Sequence, residues 1–212
     1  MKLNSLRLAA AFAAAAVSAQ AYTETWSVDG DSAGWSAFAI ATTSAVQQNF
    51  QGGLALTAED YSRYDAIADA AASGGAFVGS YAGYASFNFD LTIDAAATVN
   101  GLAVRLYDSV SGHEWTYALA YTLGVPASFT VPLDPAGAGW TQQAGPAESF
   151  SVILGAVEEI SLVFTADDVV GAENLSATLD NATLVAIPEP GSAAALAGVA
   201  VLVFGLGRRR RA

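Results

Sequence analysis

The chain has 212 residues, with 20 acidic against 8 basic, a formal net charge of −12, one histidine and no cysteine. Nearly all the acids fall between Tyr22 and Ala186, where the only basic residues are Arg63 and Arg105; this stretch cannot neutralise a run of phosphates, which excludes nucleic acid and disfavours an anionic membrane surface as its partner. Without cysteine there is no disulfide framework and no thiol nucleophile, and one histidine cannot supply the usual zinc ligands.

The N-terminus reads as an export signal. Lys2 and Arg7 give a positive start, Leu8 to Val17 is an alanine-rich apolar run, and Ala19-Gln20-Ala21 is a small-x-small cleavage site. These parts in this order predict a signal peptide over 1–21 and a mature chain that begins at Tyr22.

The body, 22–186, reads as strands. Glu24 to Val28 and Leu54 to Thr57 are short candidates. Glu59 to Ala72 is the one stretch rich enough in alanine to predict a helix, with Ser73-Gly74-Gly75 to stop it. Ser86 to Ile93 alternates with a period of two, which puts Phe87, Phe89, Leu91 and Ile93 on one buried face. Gly101 to Tyr107 follows an Asn100-Gly101 turn signal, and Trp115 to Thr122 alternates again. Ser128 to Leu133, Ser149 to Leu154, Ile160 to Thr165 and Ala177 to Val185 continue the series. Many short strands with polar connections and little helix predict an all-β, two-sheet antiparallel sandwich, with Trp26 and Trp35 in its core.

The C-terminus reads as an address. Ile187-Pro188-Glu189-Pro190-Gly191 precedes an uncharged apolar run from Ser192 to Gly207, then Arg208, Arg209, Arg210, Arg211 and Ala212. Proline keeps the first segment extended. The run is about 16 residues, ~24 Å of helix, where a full span wants ~20 residues and ~30 Å. The arginines mark its cytoplasmic end. This arrangement resembles the PEP-CTERM sorting signal of exopolysaccharide-producing Gram-negative bacteria, also called the ice-binding-protein C-terminal domain; Ile187 stands where that family usually has valine. The resemblance implies a transmembrane sorting helix over 192–207, a stop at Arg208 to Arg211, and processing by an exosortase at or near Pro188-Glu189-Pro190. The expected route is an inner-membrane-anchored precursor, then the cell envelope or extracellular matrix. The body lacks a regular Thr-x-Thr array, so the second name implies no activity.

The strand series itself resembles the galactose-binding-like jelly roll of carbohydrate-binding modules and laminin-type domains. Gly34-Trp35 near the start and Leu179-Asp180-Asn181-Ala182-Thr183-Leu184 at the close carry the resemblance. That fold brings first and last strands together and often carries a structural calcium there. The resemblance therefore implies Asp29, Asp31 and Asp180 as calcium ligands.

The remaining chemistry is sparse. Ser109-Val110-Ser111-Gly112-His113-Glu114 reads as a polar link with His113 exposed, and there is no Gly-x-Ser-x-Gly elbow. Glu158-Glu159 and Asp167-Asp168 are adjacent doublets, whose side chains on a strand point to opposite faces, so neither forms a glycosidase pair by itself. Sugar binding needs exposed aromatics; the candidates are Tyr81, Tyr84, Trp115, Tyr117 and Trp140, with Asn88 and Asp90 as polar partners. Two functions follow. One is a non-enzymatic envelope or matrix protein associated with exopolysaccharide. The alternative is a carbohydrate-binding module with a defined sugar site; a glycoside hydrolase stands behind both. An exposed co-planar pair among Trp115, Tyr117 and Trp140 favours the module, and burial of all three favours the matrix role.

Overall fold

A computed structural model describes residues 21–26, 31–41, 46–50, 53–167 and 173–187. The export segment, the Pro188-Glu189-Pro190 motif, the apolar run and the arginines lie outside the described residues. Among those described, no helix is long and apolar enough to cross a membrane.

Among the described residues, twelve strands form between Tyr22 and Ala186. They are β1 (Tyr22–Glu24), β2 (Ser36–Ala41), β3 (Val46–Phe50), β4 (Gly53–Glu59), β5 (Tyr61–Ala68) and β6 (Tyr84–Ile93). After these come β7 (Gly101–Asp108), β8 (His113–Ala118), β9 (Ala127–Pro132), β10 (Trp140–Ala144), β11 (Glu159–Thr165) and β12 (Asn174–Ala186). One helix, α1 (Phe150–Ile153), and a 3-10 turn at Ala72–Gly75 complete the described elements. The strands make two antiparallel six-stranded sheets. The first has the order β3-β4-β12-β6-β9, with β1 also paired to β12; the second has the order β10-β8-β7-β11-β5-β2. First and last strands do meet, Thr23 lying opposite Thr183.

Alternation builds the core. Leu102, Val104 and Leu106 of β7 are buried, as are Ile160, Leu162 and Phe164 of β11. On β6 the predicted set, Phe87, Phe89, Leu91 and Ile93, is at most 2 % exposed. Trp26 and Trp35 are buried edge-to-face at 5.4 Å. From Trp35 the ring contacts run through Phe77 to Phe87 and Phe89. The long β12 changes phase halfway. Leu175, Ala177 and Leu179 point inward, and so do Ala182 and Leu184. The odd-to-even step falls at Asn181, whose φ is 52°. One extra residue in left-handed backbone, a conformation asparagine tolerates, re-phases the strand. Its first half can then pair with β4 and its second half with β1.

Two expected elements differ. The segment 59–72 is not a helix but the end of β4, all of β5 and the first residue of the 3-10 turn. Tyr64, Ala66 and Ala68 bury one face of β5 while β11 and β2 pair with its two edges. Tertiary pairing outweighs a few tenths of a kcal/mol per alanine of helix preference. Conversely, 149–154 contains α1 rather than a strand. Phe150 and Ile153 are both buried, and a spacing of three reaches one side only in a helical turn.

Candidate functional site

The three predicted aromatics share the inner face of the second sheet. Trp115 lies opposite Leu106, and Tyr117 opposite Val104 and Trp140. Trp140 is buried, stacked on Phe150 of α1 at 4.7 Å, and donates its indole N–H to the Pro132 carbonyl. Trp115 meets Phe150 edge-on at 5.3 Å, and Tyr117 tilts 60° against Trp140. Trp115 and Tyr117 are half-buried against the core. The three rings gather around α1, but no two of them form an exposed co-planar platform.

Of the predicted calcium ligands, Asp29 lies outside the described residues. Asp31 accepts the Ala33 N–H at 2.7 Å, and Asp180 accepts the Asn181 N–H at 2.7 Å, each closing its own bend. Among the described residues no group of three or more His, Asp and Glu side chains is placed to share an ion. Asp90 accepts from Asn181 and Ser128, which makes it part of a polar ladder on the outer face of the first sheet.

The outer face of the second sheet holds the larger concentration of chemistry. The residues that alternate with the core set point out: Arg63, Asp65 and Ile67 on β5, Arg105 and Tyr107 on β7, Glu114 on β8, and Glu159 on β11. With Phe38 of β2 they line a groove of about 370 Å³. Arg63 grips Asp65 with two bonds, Nε to Oδ1 and Nη2 to Oδ2, both at 2.8 Å. Those bonds raise the Arg63 pKa further. Asp65 is 1 % exposed. Arg105 donates from Nε to Ser161 Oγ at 3.0 Å and from Nη2 to Glu159. It also reaches Asp65 Oδ2 at 3.5 Å and Glu114 Oε2 at 3.9 Å. Its guanidinium lies 5.5 Å from the ring centre of Tyr107, in cation–π range. Phe38 is 51 % exposed at the edge strand. The groove thus has two immobilised cations, three carboxylates, a hydroxyl floor and two aromatic walls.

Sequence reasoning named Arg63 and Arg105 only as a charge count. The signal was present in the outward parity of β7, where Arg105 and Tyr107 alternate with Leu102, Val104 and Leu106. Reading β5 as a helix hid the other half.

His113 departs from its expected place on an exposed loop. It opens β8 and is 2 % exposed. Asp108 folds the link back: its Oδ1 accepts the Val110 N–H at 2.9 Å, and its Oδ2 accepts the Ser111 hydroxyl at 2.5 Å. Ser111 Oγ also meets His113 Nδ1 at 2.6 Å, and Nε2 faces Glu148 Oε2 at 3.6 Å. The order is Asp-Ser-His. A nucleophilic serine needs the imidazole in the middle, and here the serine proton goes to the carboxylate instead.

The Ser111 hydroxyl, and then the backbone N–H groups of Val110 and Ser111, hold the Asp108 pKa below its ordinary value, against the opposite pull of burial. A depressed folded pKa means stability that is complete above the unfolded value and is lost as pH falls through the folded one. Asp108→Asn should therefore flatten the acid limb of a stability–pH curve measured by urea unfolding. An acid limb identical to the parent's would remove this role from Asp108.

A second, wider depression of about 620 Å³ lies among Asp69, Ala70, Ala71, Val78, Val157 and Glu158. It offers small apolar side chains and two carboxylates, with no aromatic and no cation.

No family model and no curated protein matches the chain. Solved structures do. The family 11 carbohydrate-binding module from Clostridium thermocellum, in complex with a β-1,3-1,4-mixed-linked tetrasaccharide, superposes with a TM-score of 0.53 at 10 % identity, over 80 % of this chain and 97 % of the module. The agarase AgWH50C gives 0.57 at 14 % identity, over 79 % of this chain and 25 % of the enzyme. An exo-β-agarase gives 0.54 at 13 %, over 79 % of this chain and 26 % of the enzyme. The chain thus spans nearly the whole module but only about a quarter of each agarase. These likenesses show the fold: the body is a β-sandwich of the jelly-roll type found in carbohydrate-binding modules.

Proposed function

We propose that the body is a carbohydrate-binding module and that its glycan lies in the outer groove of the second sheet. One observation carries this reading. The only two basic residues between Tyr22 and Ala186 converge, with three carboxylates and two aromatics, on one open groove. Specific glycan binding needs fixed donors and acceptors for hydroxyl groups and flat apolar surfaces for the sugar's C–H faces. Arg63, Arg105, Glu114 and Glu159 supply the first, and Tyr107 and Phe38 the second. The ion pairs hold these groups in place before a ligand arrives, which lowers the ordering cost of binding. The binding reading requires no catalysis, and the groove's acids serve as partners of its arginines. The ends of the chain suit delivery: a signal peptide for export, and a PEP-CTERM-like segment that holds the module at the membrane until an exosortase acts at Pro188-Glu189-Pro190. Exopolysaccharide at the envelope is then the natural ligand.

The test is affinity electrophoresis of the full chain in gels containing mixed-linkage β-glucan or soluble agarose. Tyr107→Ala should weaken retardation at least about tenfold, ~1.4 kcal/mol. Val110→Ala, on an exposed turn that does not line the groove, should not. Equal retardation of the Tyr107 variant and the parent would move the binding surface elsewhere.

A further inference from the structure

We propose that the groove selects uncharged polysaccharides and rejects polyuronates and sulfated chains; this rests on the reading of the groove as the glycan site. Arg63 gives its two-bond edge, Nε and Nη2, to Asp65. Arg105 gives Nε to Ser161 and Nη2 to Glu159 and faces Glu114 with Nη1. A ligand carboxylate or sulfate that sought the two-bond edge of Arg63 or the Nε and Nη2 of Arg105 would have to displace one of these partners, and only single N–H groups remain for it elsewhere. Asp65 is 1 % exposed and Arg105 has a side chain only 12 % exposed. A carboxylate stripped of its guanidinium at that depth is an uncompensated charge, the costly way to break a buried pair.

The count of charges points the same way. Three carboxylates face two guanidiniums across the groove. The rest of the body adds no further cation, because Arg63 and Arg105 are its only basic residues. A polyanion therefore meets a repulsive field over the screening distance of about 10 Å at 0.1 M salt. A hydroxyl group is both donor and acceptor. It can donate to the outer lone pairs of Glu114 and Glu159 without displacing an arginine, and it brings no charge to desolvate. The array of pre-paired charges thus reads as a hydroxyl receptor that excludes acidic sugars.

The experiment compares retardation of the full chain by mixed-linkage β-glucan and by alginate, each at low and high salt. The expected result is retardation by the glucan that salt leaves unchanged within about twofold, since no ion pair forms with the ligand, and no retardation by alginate. Glu114→Gln brings the groove from a net −1 to neutral, and Glu114→Gln with Glu159→Gln makes it net positive; the double variant should show alginate retardation that high salt abolishes, and the single variant a weaker retardation of the same kind. Glu114→Gln alone serves if the double variant does not fold, since Glu114 lies 3.9 Å from Arg105 and is the more exposed acid. Alginate retardation of the parent that salt weakens and Arg105→Ala abolishes would overturn the selectivity while keeping the groove. Retardation by neither polysaccharide would remove the groove as a glycan site, and the selectivity with it.

Discussion

Phe89→Ala is expected to lower the unfolding free energy by about 3–5 kcal/mol, the range for truncating a buried phenylalanine. Phe89 is 2 % exposed at the middle of β6. It stacks on Phe129, directly opposite on β9, with ring centroids 5.1 Å apart and planes 20° from parallel. It tilts against Phe87 at 5.2 Å, and Phe87 in turn touches Phe77. Truncation therefore loses the transfer energy of one ring and leaves a void beside two others, which rigid strands cannot close. Phe129→Ala should cost less, because its ring is only partly buried. Urea denaturation of parent and variants measures both. A Phe89→Ala cost below about 1 kcal/mol would mean that the site collapses freely or that β6 is not central to the core.

Asp65→Ala should cost about 3–5 kcal/mol as well, for an electrostatic reason. Its carboxylate is 1 % exposed and holds Arg63 at 2.8 Å on both oxygens, with Arg105 3.5 Å from Oδ2. Removing it leaves two guanidiniums facing one another over a single remaining shell of acids. Arg63→Ala should cost less, because the Arg63 side chain is 31 % exposed and solvent screens much of the pair, while Arg105 stays near the carboxylate. The comparison is a denaturation series near neutral pH in low and high salt. Costs for Asp65→Ala and Arg63→Ala that are equal and small would show that the pair lies at the surface energetically, whatever its geometry. Glycan retardation by the same Asp65 variant reports whether the arginines need that anchor to bind.

Much of the fold was legible because half-buried strands write their pattern locally. Ser86 to Ile93 and Gly101 to Tyr107 alternate strictly, and both became strands with the expected faces inward. Segments whose state depends on neighbours were misread. Ala66 and Ala68 favour helix by propensity, yet they sit in a strand paired on both edges. His113 looks exposed in a polar hexapeptide, yet Asp108 turns that hexapeptide back and buries it.

The sequence by itself determined the class of the body, the inward residues of its clearest strands and the scarcity of cations. Each of these depends on composition or on residues a few positions apart. Only the tertiary structure decided which side of the second sheet carries the chemistry. Trp115, Tyr117 and Trp140 are the conspicuous residues in the string, but their parity turns them inward around α1. Arg63, Asp65, Arg105 and Glu159 are inconspicuous, and they meet because β11 pairs with both β5 and β7. Glu159 lies 54 positions along the chain from Arg105. No local pattern encodes such a pairing; it follows from how two sheets share one core.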